Sequence, residues 1–405
     1  MISTIIIALL LGIFIGVITG ITPGIHVNLV CAGLMSIAPL LLQYGTPLDL
    51  AIFIVAVSIT HVFIDMVPST FLGAPNPDTA LAVLPAHKLL MKGMGFEAIR
   101  LSVVGAFVSL IVGLALMPLA ALLIPTVYAY MEPVMPWIVL AAVLFLILTE
   151  TGQKKKFWAS VVVALSGIVG IFTLSIELND PLLPLLSGAF GIAMLITSIQ
   201  EDSIIPPQFE TEMLQVPTIE VIKYALLSVL SGSLTALVPG LGSSQGVALA
   251  SVFSTNKEFS YILIVAGVSM INFLFSIITL LLIAKARNGS IATIQELMPN
   301  FNLNDGLILI IACIITSCIA VFLTFMAARL FARGITKIPY QKTCLGVLVF
   351  CISLVALISG WMGLVILTLS TCLGLITHAT GIKKTHAMGC LLVPVILRGF
   401  GFIIG

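Results

Sequence analysis

A chain of 405 residues, 60% hydrophobic and only 8% charged, cannot cover a water-facing surface, and this excludes an ordinary soluble domain. The net charge of +1 offers no field for a nucleic acid partner. Seven cysteines without a CxxC pair exclude a disulfide scaffold or thiolate metal centre and read as small core residues.

Apolar runs recur along the chain without period-2 alternation. The expected class is an all-α polytopic membrane protein of about ten spans at ~20 residues each. The first run, 2–22, lacks a charged leader and a small-residue cleavage site and reads as a retained span. Runs follow at 26–43, 50–67 and 98–130, the last long enough for one long helix or two short ones. Those at 134–149, 157–176 and 183–199 complete the first half. After a polar linker come 219–238, 244–254, 259–284, 305–332, 343–359, 361–377 and 386–404. Pieces as short as 244–254 cannot cross alone and fit half-helices that meet inside the membrane.

The linker "QEDSIIPPQFETEMLQVPT" (200–218) separates an N-terminal membrane repeat, 1–199, from a C-terminal one, 219–405. "LLGIFIGVITGITPGIHVN" (10–28) aligns without a gap on "LLSVLSGSLTALVPGLGSS" (226–244), pairing Gly16 with Gly232, Thr19 with Thr235, Pro23 with Pro239 and Gly24 with Gly240. A weaker echo pairs "IVAVSITH" (54–61) with "IVAGVSMIN" (264–272), with one residue inserted. Basic residues favour loops 86–100, 150–157, 329–342 and 378–386, which alternate between the halves. By the positive-inside tendency these loops are cytoplasmic, both termini lie outside the cell, and the repeats have inverted topology in the plasma membrane.

A Pro-Gly pair at one register in two inverted halves implies two broken or re-entrant helices near the midplane. A break exposes backbone N–H groups and a positive dipole end, which favour an anion. The expected contacts are Pro23, Gly24, Ile25, His26 and Asn28 in the first half. Their counterparts are Pro239, Gly240, Gly242, Ser243, Ser244 and Gln245. Asp65 lies inside a membrane run, with His61 one turn earlier on the same face. The pair can share a proton or hold a cation, or simply satisfy itself structurally. "PSTFLGAPNPDTA" (68–80) is too polar for a free span, reads as a re-entrant or loop segment, and offers Ser69, Thr70, Asn76, Asp78 and Thr79 to a cavity. His378 and His386 read as loop residues beside Lys383 and Lys384, and Asn288-Gly-Ser290 fits a glycosylation sequon in an outside loop.

"GITPGIHVN", "PSTFLGAPNPDTALAVLPAHKLLMKGMGFEAIRLS" and "TALVPGLGSSQGVALAS" resemble the large membrane subunit of tripartite tricarboxylate transporters, the TctA family, in its archaeal-type branch. "PGLG" stands intact at Pro239–Gly242, whereas the first copy reads "PGIH". The resemblance implies carboxylate transport driven by an ion gradient, with a small membrane subunit and an extracytoplasmic binding protein as partners. It implies substrate contact at Pro23–Asn28 and Pro239–Gln245, and at Asn76–Thr79. The expected function is therefore a non-enzymatic secondary transporter of a di- or tricarboxylate, coupled through His61 and Asp65 to protons or Na+ and needing no other cofactor. Membrane lipid, the solute and a second copy of the chain complete the expected partners. The alternative is a polyprenyl-phosphate translocase that binds its phosphate at the same breaks. No Walker motif, metal-site spacing or nucleophile elbow is present.

Overall fold

Proline, glycine and capping residues decide where the helices start and stop. The computed structural model describes residues 2–22, 27–73, 83–178, 181–200, 205–210, 216–238, 242–251, 253–254, 258–335 and 340–402, and among these there is no strand. The first helix, α1 (Ile2–Ile21), stops just ahead of Pro23 in the sequence, and α2 (Val27–Leu41) follows. α3 (Pro47–Ile64) opens on "TPLD". The Thr46 hydroxyl accepts the Asp49 N–H at 3.3 Å, and the Asp49 carboxylate accepts the Thr46 N–H at 2.8 Å. Pro47 fits the first helical turn, whose N–H would go unused. Asp65 separates α3 from α4 (Met66–Phe71), because Pro68 has no N–H to give the Ile64 carbonyl.

α5 (Val83–Leu90) leads to α6 (Gly95–Met131), a single 37-residue helix that contains Pro118 and Pro125. α7 (Met135–Leu148) and α8 (Gln153–Ser175) come next. α9 (Leu182–Leu186) then runs through a π-helical stretch, Ser187–Ile192, into α10 (Ala193–Gln200). The second half holds α11 (Thr218–Leu237), α12 (Ser243–Ser251), α13 (Glu258–Ile283), α14 (Gly289–Leu297) and α15 (Leu303–Ile335). It closes with α16 (Tyr340–Thr380), a 3-10 turn at Lys384–Met388, and α17 (Gly389–Gly399). The two runs expected at 343–359 and 361–377 are joined in α16 through a kink at Gly360 (φ 65°, ψ −160°), a conformation that only glycine adopts without strain.

Eight helical stretches among the described residues are long and apolar enough to cross a membrane: α1, α3 with α4, α6, α8, α11, α13, α15 and α16. α7 and the stretch Leu182–Thr197 are apolar but shorter. The outer helices face outward with bare hydrocarbon: Phe14 is 61% exposed, Leu122 76% and Leu357 84%. Only a lipid environment suits so much apolar surface. The protein is a multi-pass, all-helical membrane protein.

The two most enclosed spans are α3 and α13. α1 lies on α3 and runs parallel to it: a Cβ at Gly12, Gly16 or Gly20 would lie within 2.9 Å of the Cβ of Ala56, Thr60 or Ile64 respectively. α11 lies on α13 in the same way, with Gly232 against Ile271 and Val268. Such glycines let backbones approach closely where lipid supplies no hydrophobic force between helices. The halves also exchange partners. α3 packs on α15 of the second half, and α13 packs on α6 of the first. α8 packs likewise on α17, and α16 on the Ser187–Ile192 stretch and α10.

The helix ends sort into groups. At one end Phe71, closing α4, stacks near Phe331 of α15 (6.0 Å between centroids), and Lys92 reaches Glu258 at the start of α13 (3.9 Å). Linker residues 205–210 dock on that end. The Gln208 amide donates to the Leu90 carbonyl at 3.0 Å and accepts the Gly95 N–H at 2.9 Å. Glu210 pairs with Arg329 (3.4 Å) and Arg333 (3.1 Å). Elsewhere Arg287, after α13, donates to the Tyr128 hydroxyl near the end of α6 at 2.5 Å. The α3–α4 rod thus ends where α13 begins, so the two run in opposite directions.

Candidate functional site

Each Pro-Gly register falls in a gap between helices. α1 ends at Ile21 and α2 begins at Val27; α11 ends at Leu237 and α12 begins at Ser243. Pro23, Gly24, Ile25 and His26 lie outside the described residues, as do Pro239, Gly240, Asn76, Asp78 and Thr79. What the structure describes is the framework on either side.

Just ahead of each gap stands a buried threonine bonded to the neighbouring central helix. Thr19 Oγ1 donates to the Gly16 carbonyl at 3.2 Å and lies 3.2 Å from His61 Nδ1. Thr235 Oγ1 donates to the Gly232 carbonyl at 2.9 Å and accepts from Asn272 Nδ2 at 2.9 Å. These are the residues paired by the sequence repeat: Thr19 with Thr235, His61 with Asn272. His61 is 3% exposed and Asp65 4%. A Cβ at Gly20 would lie 2.9 Å from Ile64 Cβ and 3.5 Å from the Asp65 nitrogen. The His61–Asp65 turn therefore runs beside the last turn of α1, next to the first gap. Ser69 Oγ, a turn further on, donates to the Asp65 carbonyl at 2.8 Å.

Beyond the second gap, Ser243 and Ser244 are buried, and Gln245 lies on the backbone of α12. Gly246 sits over Thr235 and the Ser231 carbonyl, where a Cβ would come within 2.8 Å and 3.2 Å, so α12 doubles back along α11. Gly242, which precedes α12, is half-buried. Beyond the first gap, the half-buried Asn28 fits against α14 of the other half. A Cβ at Gly289 would collide with Asn28 Oδ1, so the asparagine occupies the space that glycine leaves. Cys31, one turn on, faces Ser290 and Thr293 of α14, and Ser58 Oγ donates to Ser290 Oγ at 3.2 Å. The sequon reading gives way here. The Asn288 side chain caps α14 by accepting the Ile291 N–H at 2.8 Å, and Ser290 is buried.

A second polar cluster went unread in the sequence. His386 is no loop residue: it is 1% exposed, and its Nε2 donates to Glu150 Oε1 at 3.0 Å. The same oxygen accepts the Lys383 N–H at 2.9 Å, and Lys383 Nζ reaches Thr149 Oγ1 at 3.3 Å. The cluster ties the α7–α8 turn to the turn before α17. Burial pushes the Glu150 carboxyl up, but the Lys383 N–H, the His386 ring and the nearby positive charges outweigh it and hold it below the usual carboxylate range. Burial holds His386 below the ordinary imidazole value, which suits a neutral ring that donates one N–H. The signal available in the sequence was an acidic residue before a run of three lysines, with nothing to name its partner 236 positions away.

Fold and site together define a multi-pass helical membrane protein in which α1 and α11 each carry a buried threonine bonded to the neighbouring central helix, ahead of a Pro-Gly. Residues 6–389 match the model of the tripartite tricarboxylate transporter TctA family, so the chain belongs to that family, whose members are membrane components of tricarboxylate transporters. An uncharacterized protein of Methanocaldococcus jannaschii is 29% identical over 403 residues, covering 96% of this chain and 97% of that one, in keeping with the archaeal-type branch. No solved structure matches.

Proposed function

We propose that the chain carries a di- or tricarboxylate across the plasma membrane by secondary active transport, rocking one repeat against the other around the paired helix breaks. The observation that carries this is the matched framing of the two breaks. α1 on α3 and α11 on α13 share their glycine contacts and their threonine bonds, and each pair leads into a Pro-Gly. The opposed directions of α3 and α13 support inverted repeats, the arrangement in which alternating access needs only one fixed site. Backbone N–H groups after each break would hold carboxylate oxygens, with Asn28, Ser243, Ser244 and Gln245 choosing among anions. Asn76, Asp78 and Thr79 join the same site in this reading. His61 and Asp65 carry the coupling cation. The family's tripartite character supports a small membrane subunit and an extracytoplasmic binding protein as partners. Family membership favours this reading over a lipid-phosphate translocase.

The test is uptake of labelled citrate and succinate into right-side-out membrane vesicles under an imposed proton or Na+ gradient. Accumulation that collapses with an ionophore is expected; no gradient-dependent flux of either anion would overturn the carboxylate form.

A further inference from the structure

The sequence repeat supplies an internal control for the coupling chemistry. Each threonine ahead of a gap uses its own proton on a carbonyl three residues back, Gly16 for Thr19 and Gly232 for Thr235. Its oxygen is then an acceptor for the residue facing it. In the second half that donor is an amide N–H of Asn272. In the first half His61 Nδ1 stands in that donor's place, 3.2 Å from Thr19 Oγ1; an N–H there keeps both threonine bonds as in the second half, whereas the other tautomer would draw the Thr19 proton off the Gly16 carbonyl. The parallel with Asn272 favours the Nδ1–H tautomer, which makes Nε2 the basic nitrogen.

Asn272 makes the same bond from the same register and has no basic nitrogen. One turn on the contrast repeats: Asp65, at the end of α3, corresponds to Ser276 in α13, a fully buried hydroxyl that donates to the Asn272 carbonyl at 2.7 Å. Two titratable groups in one half thus stand opposite two neutral ones in the other, inside frameworks that otherwise match.

Resting on the transport reading above, we propose that coupling is to protons and is confined to the first repeat. His61 Nε2 takes the proton, Asp65 lies one turn away to stabilise the imidazolium, and Thr235–Asn272 is an uncharged twin that only holds the second break. α1 and α4, which pack beside this turn, carry no titratable residue. On the other described helices against α3, charged residues keep to the first or last two turns: Glu97 and Arg100 on α6, Glu258 on α13, Glu296 on α14, and Asp305, Arg329 and Arg333 on α15. The thiols on these helices are Cys31 on α2 and Cys313 and Cys318 on α15.

The twin also supplies the variant. An asparagine at position 61 can bond Thr19 as Asn272 bonds Thr235, so His61→Asn removes the basic nitrogen and keeps the packing. In vesicles holding labelled citrate, H61N is expected to retain citrate counterflow, which needs no gradient, and to lose accumulation driven by a pH gradient. Asn272→Ala is expected to slow both together and leave the accumulation ratio unchanged. Undiminished pH-driven accumulation in H61N would overturn the proposal. So would coupling lost in Asn272→Ala with counterflow intact. Wild-type accumulation driven by Na+ and indifferent to pH would overturn it while leaving the transport reading standing. Nitrogen NMR of 15N-histidine-labelled protein, with the His61 signal assigned by its loss in H61N, reads the proposal without any flux. It is expected to show Nδ1–H at neutral pH and titration at Nε2, and an Nε2–H tautomer would refute it. Absence of citrate counterflow in the wild type would instead end the transport reading.

Discussion

Single atoms decide how closely the central helices approach. A Cβ at Gly16 would stand 2.6 Å from Thr60 Cβ and 2.8 Å from the Val57 carbonyl, closer than packed atoms tolerate. Gly16→Ala must push α1 off α3, at about 1–3 kcal/mol for overpacking. Gly334→Ala in α15 meets nothing within 4 Å and should be neutral or raise stability by about 0.4–1 kcal/mol. Thermal unfolding in detergent compares the two: a lower midpoint is expected only for the first. The Glu150–His386 contact makes a prediction with a definite sign. Both groups sit below their unfolded values. The unfolded chain therefore binds more protons wherever pH lies between folded and unfolded values, and stability falls on acidification. The His386 contribution fades first, below the usual imidazole value of about 6.5, and that of Glu150 follows below about 4.3. Glu150→Gln should lower the unfolding midpoint at neutral pH by the equivalent of about 2 kcal/mol for a lost charged hydrogen bond. The gap to wild type should then narrow as pH falls.

At the scale of helices, most of the fold was legible because membrane spans announce themselves through long apolar runs. The ends of α1 and α11 were readable from Pro-Gly, whereas α3 starts at Pro47, ahead of the apolar run at 50–67, because the Thr46–Asp49 cap that opens it is polar and hydropathy does not carry it. Other features depended on partners that no local pattern reveals. Pro118 and Pro125 sit inside α6 without ending it, since a neighbouring helix can re-satisfy a freed carbonyl in a membrane bundle. The pairing of Asn28 with Gly289 and of Glu150 with His386 joins residues far apart in sequence. The Thr19–His61 bond was half legible, as a threonine repeated at Thr235 and a histidine echoed by Asn272, without the knowledge that the two series touch. Gly360 carries a kink that hydropathy hides, because both flanks are equally apolar. Gly360→Ala places a side chain in a glycine-only conformation at about 1–3 kcal/mol. A lower unfolding midpoint is expected, with the loss relieved when α16 is cut between its two arms and co-expressed.

Across the whole molecule, the exchanged packing of the halves makes each repeat dependent on the other. The linker strengthens this by fastening Gln208 and Glu210 to the ends of α5, α6 and α15. Loops joined by contacts are also loops that the charge-based topology puts on one side: Arg329 lies over the Phe96 ring in 86–100, Glu150 bonds 383–386, and the end of α6 bonds Arg287. Single cysteines placed in 150–157 and in 329–335 should react with impermeant maleimide only from the cytoplasmic face, and one at Lys285 only from outside. The most direct test of the central claim asks whether a carboxylate occupies both breaks at once. Asn28→Cys and Ser244→Cys are introduced separately into a chain whose exposed Cys318 and Cys372 are replaced by serine, and maleimide labelling is timed with and without citrate. Slower labelling at both positions in citrate, with no change in chloride, is the predicted result; labelling that citrate leaves unchanged at both, or slows at one only, would contradict a shared site.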